Sequence, residues 1–463
     1  MKKKFTSLEK KWILYDVGNS AFTLLASTVI PIYFNGIAGT GGISETDAVA
    51  YWGYAASLVT LIVAVLGPVL GTFADYGGWK RPMFFGAAML GVLGCAALAI
   101  PLQWTLFLAL YVVVKIAYST SLVFYDSMLT DITDRTRMDN VSSHGYAWGY
   151  IGSCIPFIIS IVLINFSPLS ISVSMPIAFA LNAVWWLAMT MPLFFGYKQT
   201  HFVARQPHAV KAAFKRLFSV FKTEKKHKKG IILFLIAFFL YIDGVYTIID
   251  MATTFGTALG FETEQLLLAL LLTQIIAFPS AILFGYLAPR ISNDRLILVC
   301  ICAYAAVALF AVQMDKVWEF WFLAVCVGLF QGGIQALSRS YFAKIVPAEK
   351  SGEYFGIMDI FGKGAAFVGT MLVSVVTQLT DSVNMGVIPI ACLFIAGLIV
   401  FIFASKTIRK ENAALITAPA ADAPAETPAE NTAENSATET EVFSQNGAAV
   451  AADEPAQNNQ ENL

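Results

Sequence analysis

GTFADYGGWKR, from Gly71 to Arg81, is a short turn of small, acidic and basic residues between two long apolar runs. A turn of related make-up, GYLAPRISNDR from Gly285 to Arg295, recurs 214 residues later, again between apolar runs. Ile132 and Ile345 stand at nearly the same offset, each before a polar turn and another apolar run. Matched turns at equal spacing argue that one structural unit has been duplicated.

Working outward from these turns, runs of the roughly 20 apolar residues that a membrane-spanning helix needs number about twelve. They fall at about 13–36, 49–73, 83–101, 105–129, 145–166, 174–195, 231–256, 264–288, 296–314, 318–343, 354–379 and 385–404, with ends soft by a few residues. The longest internal connection, 196–230, separates the sixth from the seventh and carries ten Lys and Arg residues. The expected fold is all-α and integral to the membrane: twelve transmembrane helices in two pseudo-symmetric six-helix bundles. The expected layout is a basic start (1–12), an N-terminal bundle (13–195), a basic linker (196–230), a C-terminal bundle (231–405) and a disordered acidic tail (406–463), the last because its composition cannot bury a core.

Composition agrees. Apolar residues make up 57% of the 463, charged residues 13%, and the mean hydropathy is +0.67. Soluble proteins carry roughly 25% charge, so a soluble globule is excluded. Twenty-six of the 30 Lys and Arg residues fall in connections on the side of the amino terminus, and one, Lys316, on the other. The positive-inside rule therefore expects both termini in the cytoplasm, here of a bacterial cell with the protein in its inner membrane. The start MKKK before an apolar run resembles a signal peptide, but the run is too long and contains Asp16, so a retained first helix is expected.

Particular residues carry a resemblance. Gly71, Ala74, Asp75, Gly78, Lys80 and Arg81 resemble the loop signature of the major facilitator superfamily, while in the second copy Pro289 and Arg290 replace the acid. YDVGNSAF (15–22), SSHGYAWGYIGS (142–153), GGIQALSRSYFAKIVP (332–347) and GEYFG (352–356) resemble the vacuole effluxer family. That family covers fungal vacuolar amino-acid exporters of autophagy and bacterial relatives. Gly18 stands where an alanine is usual and His144 where an arginine is expected, the second removing a charge from the terminal side. The resemblance implies efflux of a small solute, an amino acid or relative.

Charge at mid-membrane is costly and needs a reason. In the first run Asp16, Asn19, Ser20 and Thr23 share one helical face. Asp16 is close to the terminal side and reads as a gate, as a substrate or proton group, or as an interfacial residue beside Lys10 and Lys11. Lys115 sits mid-span in the fourth run, where snorkelling is hard, and points to a cavity. Asp126 and Asp131 are closer to the terminal side and are expected to pair with Arg135 or Arg137. In the seventh run Asp243 and Asp250 are seven apart with Tyr246 between, and need protons or partners such as Lys115, Arg339 or Lys363. In the tenth, Gln331 and Gln335 suit both an amino and a carboxylate group, and Arg339 suits gate pairing. Asp359 and Lys363, at i and i+4, can satisfy each other.

The expected path for substrate or protons is thus Asp16, Asn19, Ser20, Thr23, Lys115, Asp243, Tyr246, Asp250, Gln331 and Gln335. The expected cytoplasmic gate is Asp75, Lys80, Arg81, Asp126, Arg135, Arg339, Asp359 and Lys363, with Asp75 bonding a facing helix terminus or the Arg135 region. Gly145, Gly149, Gly152, Gly352 and Gly356 are expected at close helix contacts.

No metal site is expected: His201, His208 and His227 lie in the basic linker, His144 borders a loop, and the six cysteines lie in apolar runs. No phosphate-binding GxxxxGK[ST] occurs, since five residues separate Gly356 from Gly362. No cofactor is expected, and no convergent nucleophile and base suggest an enzyme. The linker lysines are expected to face solvent or anionic lipid rather than nucleic acid. The leading expectation is a monomeric secondary transporter working by alternating access, with a small polar organic solute, the lipid bilayer and protons as partners. A drug or sugar exporter, and a non-transporting receptor or scaffold, remain alternatives.

Overall fold

A computed structural model describes residues 4–165, 167–204 and 229–417. The spans are Ser7–Thr40, Glu45–Ala74, Lys80–Ala97, Trp104–Ser127, Met138–Asn165, Ile171–Gly196, Lys229–Ala258, Thr263–Leu287, Asn293–Ala311, Val317–Ile345, Ser351–Thr380 and Ile388–Thr417. Eleven helical segments are long and apolar enough to cross a membrane by length and composition. The third span is not among them, because its eighteen residues open on Lys80 and Arg81.

Helix ends differ from the apolar runs for identifiable reasons. The first span begins at Ser7, because Thr6 and Glu9 form a reciprocal capping box. It breaks at Thr28 into Ser7–Ser27 and Val29–Thr40. Pro31 has no N–H to give the carbonyl of Ser27, so the ladder cannot run through. The twelfth span continues to Thr417, past the boundary expected at 405. The remainder of the acidic tail, 418–463, and linker residues 205–228 lie outside the described residues.

Each half packs around aromatic residues. Trp12, Tyr15, Phe22, Tyr125 and Trp186 are fully buried in the first half, as are Phe234, Tyr241, Tyr304, Phe394 and Phe401 in the second. Gly18 and Gly244 let the first span of each half approach its last: a Cβ would meet Met189 in one case and Phe394 in the other.

Between the halves the second span runs along the eleventh and the fifth along the eighth. The closest approaches are at the face carrying the termini. There Gly71 faces the carbonyl of Gly352, Gly356 faces Gly67, and Gly285 faces Ser143. Toward the other face the same helices stand apart. Gly53, Tyr54, Ser57 and Leu58 on the second span and Met371, Ser374, Val375 and Leu379 on the eleventh are exposed around most of each helix. The halves therefore meet at the terminal face and enclose a cleft that opens opposite.

Candidate functional site

Three sets of contacts close the terminal face. The first centres on Arg339, 3% exposed in the tenth span. Its Nη2 donates to Asp16 Oδ2 (3.1 Å) and its Nη1 to Asp126 Oδ1 (3.0 Å), so one guanidinium joins the first and fourth spans of the other half. Nε donates to Ser142 Oγ (2.9 Å) and Nη2 to the Ser142 carbonyl (3.0 Å) in the fifth. Trp12 and Tyr146 cover its faces at 4.6 and 4.3 Å. A planar fork can hold two carboxylates and stack between rings at once, which a lysine cannot.

The second set is at the opening turn. Asp75 ends the second span and accepts from the main-chain N–H groups of Gly352 (2.7 Å) and Glu353 (2.9 Å), which open the eleventh. A helix start has unpaired N–H groups and a partial positive charge, so a carboxylate is its natural partner. Lys80, fully buried, donates to Ser351 Oγ (2.9 Å) and is 3.8 Å from Asp75 and 3.7 Å from Asp131.

In the degenerate second copy of the turn, the missing acid is supplied from across the seam. Asp139, in the first turn of the fifth span, accepts from Asn293 Nδ2 (2.6 Å), from Ser340 Oγ (2.7 Å) and from Lys344 Nζ. Nothing in the sequence around Pro289 points to Asp139; its place in a first helical turn is the available signal. Asp139→Ala is expected to lower the melting temperature of the purified protein and leave Asp16–Arg339 intact. Leaving Lys344 and Asn293 without their acceptor costs roughly 1–3 kcal/mol, and an unchanged melting temperature would count against the role.

Several residues of the expected gate have partners other than those expected, or join no two elements. Asp126 pairs with Arg339, and Asp131 with Lys80, instead of with Arg135 or Arg137. Arg137 is taken by Glu9 (2.6 Å) within the first half, and Arg135 is exposed with no ion pair among the described residues. Arg81 donates to the Phe194 carbonyl (2.8 Å) and stacks on that ring, so it ties the third span to the sixth in one half. Asp359 and Lys363 pair at 2.5 Å on one helix and join no two elements.

The path residues also divide. Asp16 is buried in the closure, and Asn19 supports it, with Nδ2 donating to Asp16 Oδ1 (3.4 Å) and the Tyr15 carbonyl (3.0 Å). Ser20 is half-buried against Gly149. Above them Thr23 is exposed mid-span and shares a hydrogen bond with Tyr118 (2.6 Å). Lys115 is half-buried over the Tyr118 ring (5.2 Å) and within electrostatic reach of Asp250, which is exposed. Exposed polar groups at this depth require water, so the cleft reaches them. Gln335 accepts from Tyr150 across the cleft (3.0 Å), and Tyr246 is half-buried. Gln331, buried, borders a largely apolar cavity of about 380 Å³ inside the second half, lined by Met251, Phe255, Leu270, Leu323 and Val327.

Asp243 departs from the sequence reading most. Seven residues from Asp250 and on its helical face, it is nonetheless fully buried against the eleventh span. Its Oδ1 accepts from Gly369 N–H (2.9 Å) and Thr247 Oγ1 (3.2 Å). Its Oδ2 has no partner, and no cation is within ion-pair distance among the described residues. Among those residues no cluster could hold a metal ion.

Two six-helix halves, a seam locked at one face and a polar cleft open at the other define a transporter of the major facilitator class. The fold matches the human organic anion transporter MFSD10 (TM-score 0.67, 14% identity, 85% of this chain and 99% of that one). It also matches the proton:xylose symporter XylE (0.66, 13%, 87% and 95%) and a bacterial ferroportin homologue in an outward-facing state (0.61, 13%, 86% and 98%). Within that class, the family model described as "Vacuole effluxer Atg22 like" matches residues 41–138 and 130–414, and the chain belongs to that family. The uncharacterized MFS-type transporter YxiO of Bacillus subtilis is 41% identical over 87% of this chain and 96% of its own. Autophagy-related protein 22-2 of Aspergillus niger is 27% identical over 59% of this chain, which spans about half (52%) of that relative's length.

Proposed function

We propose that this chain exports a small polar organic solute, an amino acid or close relative, from a bacterial cytoplasm by alternating access, with both termini cytoplasmic. The orientation rests on the Lys and Arg bias. On it, the structure is an outward-open conformation whose cytoplasmic gate is shut. One observation carries the reading: Arg339 of the second half is gripped by Asp16 and Asp126 of the first, directly beneath the cleft that holds Thr23, Lys115, Asp250 and Gln335. Such a contact must break for the solute to enter from the cytosol, and it can re-form only as the halves rock back. Lys115 and Asp250 offer opposite charges to a solute bearing both, which supports an amino acid over a sugar.

Proton coupling belongs to the same proposal. Asp243 has an unpartnered oxygen and, among the described residues, no counter-cation, on the helix that also presents Asp250 to the cleft. An acid so placed can carry a proton between conformations.

The test is flux into proteoliposomes of labelled amino acids, sugars and organic amines, with and without a pH gradient. Amino-acid flux driven by the gradient is expected, and Asp243→Asn is expected to retain exchange while losing the gradient's effect. Flux of sugars or amines alone would favour the sugar or drug exporter, and no flux of any solute would favour a scaffold. Full gradient dependence in both Asp243→Asn and Asp250→Asn would end the coupling proposal.

A further inference from the structure

A hollow of about 280 Å³ opens at the terminal face where the two halves adjoin. Its walls come from the ninth, tenth and twelfth spans of the second half and, in Arg135, from the turn that precedes the fifth span of the first. The charged residues that line it are three cations, Arg135, Lys344 and Arg409, and one acid, Asp294. Lys344 is held from behind by Asp139, and Arg409 Nη2 donates to Asp294 Oδ2 (2.5 Å). Ser405 Oγ donates to the same Asp294 oxygen (2.6 Å), so that acid is satisfied from within the second half. Asp134, exposed beside Arg135 in the sequence, does not line the hollow. With Asp139 counted, three cations meet two acids. The unmatched one is Arg135, exposed and without an ion pair among the described residues.

Size and chemistry narrow what such a hollow can take. A water fills roughly 30 Å³ of liquid, so there is room for a polyatomic group. A guanidinium presents paired N–H donors in one plane, the geometry that matches phosphate oxygens. Arg135 and Arg409 offer two such forks, the second with Nε and Nη1 free of protein acceptors among the described residues, and Lys344 adds a compact charge. Tyr341, its ring packed on Phe234 and Phe401, adds a hydroxyl. Ile345 and Ile408 supply an apolar wall, which the glycerol carbons of a lipid would cover and a hydrated ion would not. The hollow lies at the ends of membrane spans, where basic pockets meet the negative headgroups of the cytoplasmic leaflet.

We propose that this hollow binds the phosphate of an anionic phospholipid, which bridges Arg135 of one half to Lys344 and Arg409 of the other. Binding across the seam favours the form in which these residues adjoin, the one shut at the terminal face. It works alongside the bonds that Asp139 makes there to Asn293 and Lys344. When the halves part, Arg135 leaves with the first and the site is split, so lipid binding and opening oppose each other. The binding stands by itself, and its coupling to closure rests on the alternating-access reading.

The test reads the two separately. Full-length protein, stripped of lipid in detergent, would be titrated with phosphatidylglycerol or phosphatidylcholine and the bound lipid counted by native mass spectrometry. Phosphatidylglycerol is expected to bind at least about fivefold more tightly, and Arg135→Gln and Arg409→Gln are each expected to weaken it by about fivefold or more. Lys410→Gln removes the same charge one residue from Arg409 but outside the hollow, and is expected to change nothing. Equal binding in Arg135→Gln and its parent, or equal loss in Lys410→Gln, would overturn the site. Inorganic phosphate distinguishes the sources. If it raised the melting temperature above chloride at equal ionic strength, only with Arg135 present, while the two lipids bound alike, the site would be one for a free ion and the lipid proposal would fall. Closure is read in vesicles of phosphatidylcholine with or without phosphatidylglycerol, from a neutral maleimide and a cysteine at Ser143, which is buried against Gly285 at the seam. With native cysteines replaced by alanine, phosphatidylglycerol is expected to slow labelling about fivefold or more, and Arg135→Gln to erase the difference. Bound lipid with unchanged labelling would overturn the coupling and leave alternating access standing. No labelling in any vesicle would overturn the gate and the coupling with it, leaving the site to the lipid counts.

Discussion

Arg339→Met is expected to abolish transport and to drive the protein out of the form that is shut at the terminal face. The substitution leaves Asp16 and Asp126 facing each other without their cation, together with the Ser142 carbonyl and hydroxyl that Arg339 also satisfied. Removing one partner of a buried ion pair costs roughly 3–5 kcal/mol. Because the contact joins the halves only when the gate is shut, that cost falls on the shut form. At about 1.4 kcal/mol per factor of ten, the open-to-shut ratio should rise by on the order of a hundredfold or more. Thiol labelling of a cysteine placed at Ser142 would report it, with rapid labelling in Arg339→Met and slow labelling in the parent. Arg339→Lys should fall between them, since one ammonium cannot reach Asp16, Asp126 and Ser142 together or stack between Trp12 and Tyr146. Adding Asp16→Asn and Asp126→Asn to Arg339→Met should recover most of the lost melting temperature without recovering transport. Slow labelling and normal flux in Arg339→Met would refute the gate.

The fold was legible because its physics is local and repeated. Long apolar runs, a basic bias on one side and a duplicated turn each follow from residues close in sequence. The costly residues were legible too, since Asp16, Lys115, Asp243, Asp250 and Arg339 stand out against apolar neighbours. Their partners were not, because pairing is a matter of distance in space. Sequence proximity points Asp126 to Arg135 or Arg137, nine and eleven residues away, yet it meets Arg339 in the other half. Asp243 and Asp250 share a helical face and still differ, because Gly369 brings the eleventh span against one while the cleft opens beside the other. The stretch 197–203 reads as the start of a charged linker. What binds it to the gate is one main-chain hydrogen bond, the side chain of Gln199 and the carboxylate of Asp131, contacts that the fold alone brings together.

Gly352→Ala is expected to be as damaging as loss of a charge, although it adds one methyl group. A Cβ at Gly352 would sit on the carbonyl oxygen of Gly71 and 2.7 Å from Asp75 Oδ1. Neither neighbour is the free end of a flexible side chain: one is backbone, and the other is the carboxylate that holds this helix start. The helices must separate, and both N–H groups then leave Asp75. Overpacking costs roughly 1–3 kcal/mol, and each hydrogen bond to a charged group about 1.5–3 kcal/mol. The shut form should lose at least about 3 kcal/mol, moving the gate equilibrium roughly a hundredfold toward open. Gly71→Ala meets the Gly352 carbonyl from the other side and should behave alike. Gly86→Ala is the control, since a Cβ there meets nothing within 4 Å. It should preserve flux and add roughly 0.5–1 kcal/mol to stability through helix propensity alone. If Gly352→Ala transported like Gly86→Ala, the close approach of the second and eleventh spans would be incidental to the cycle. If it trapped the terminal face open, backbone contact would be established as the part of the gate that no polar residue announces.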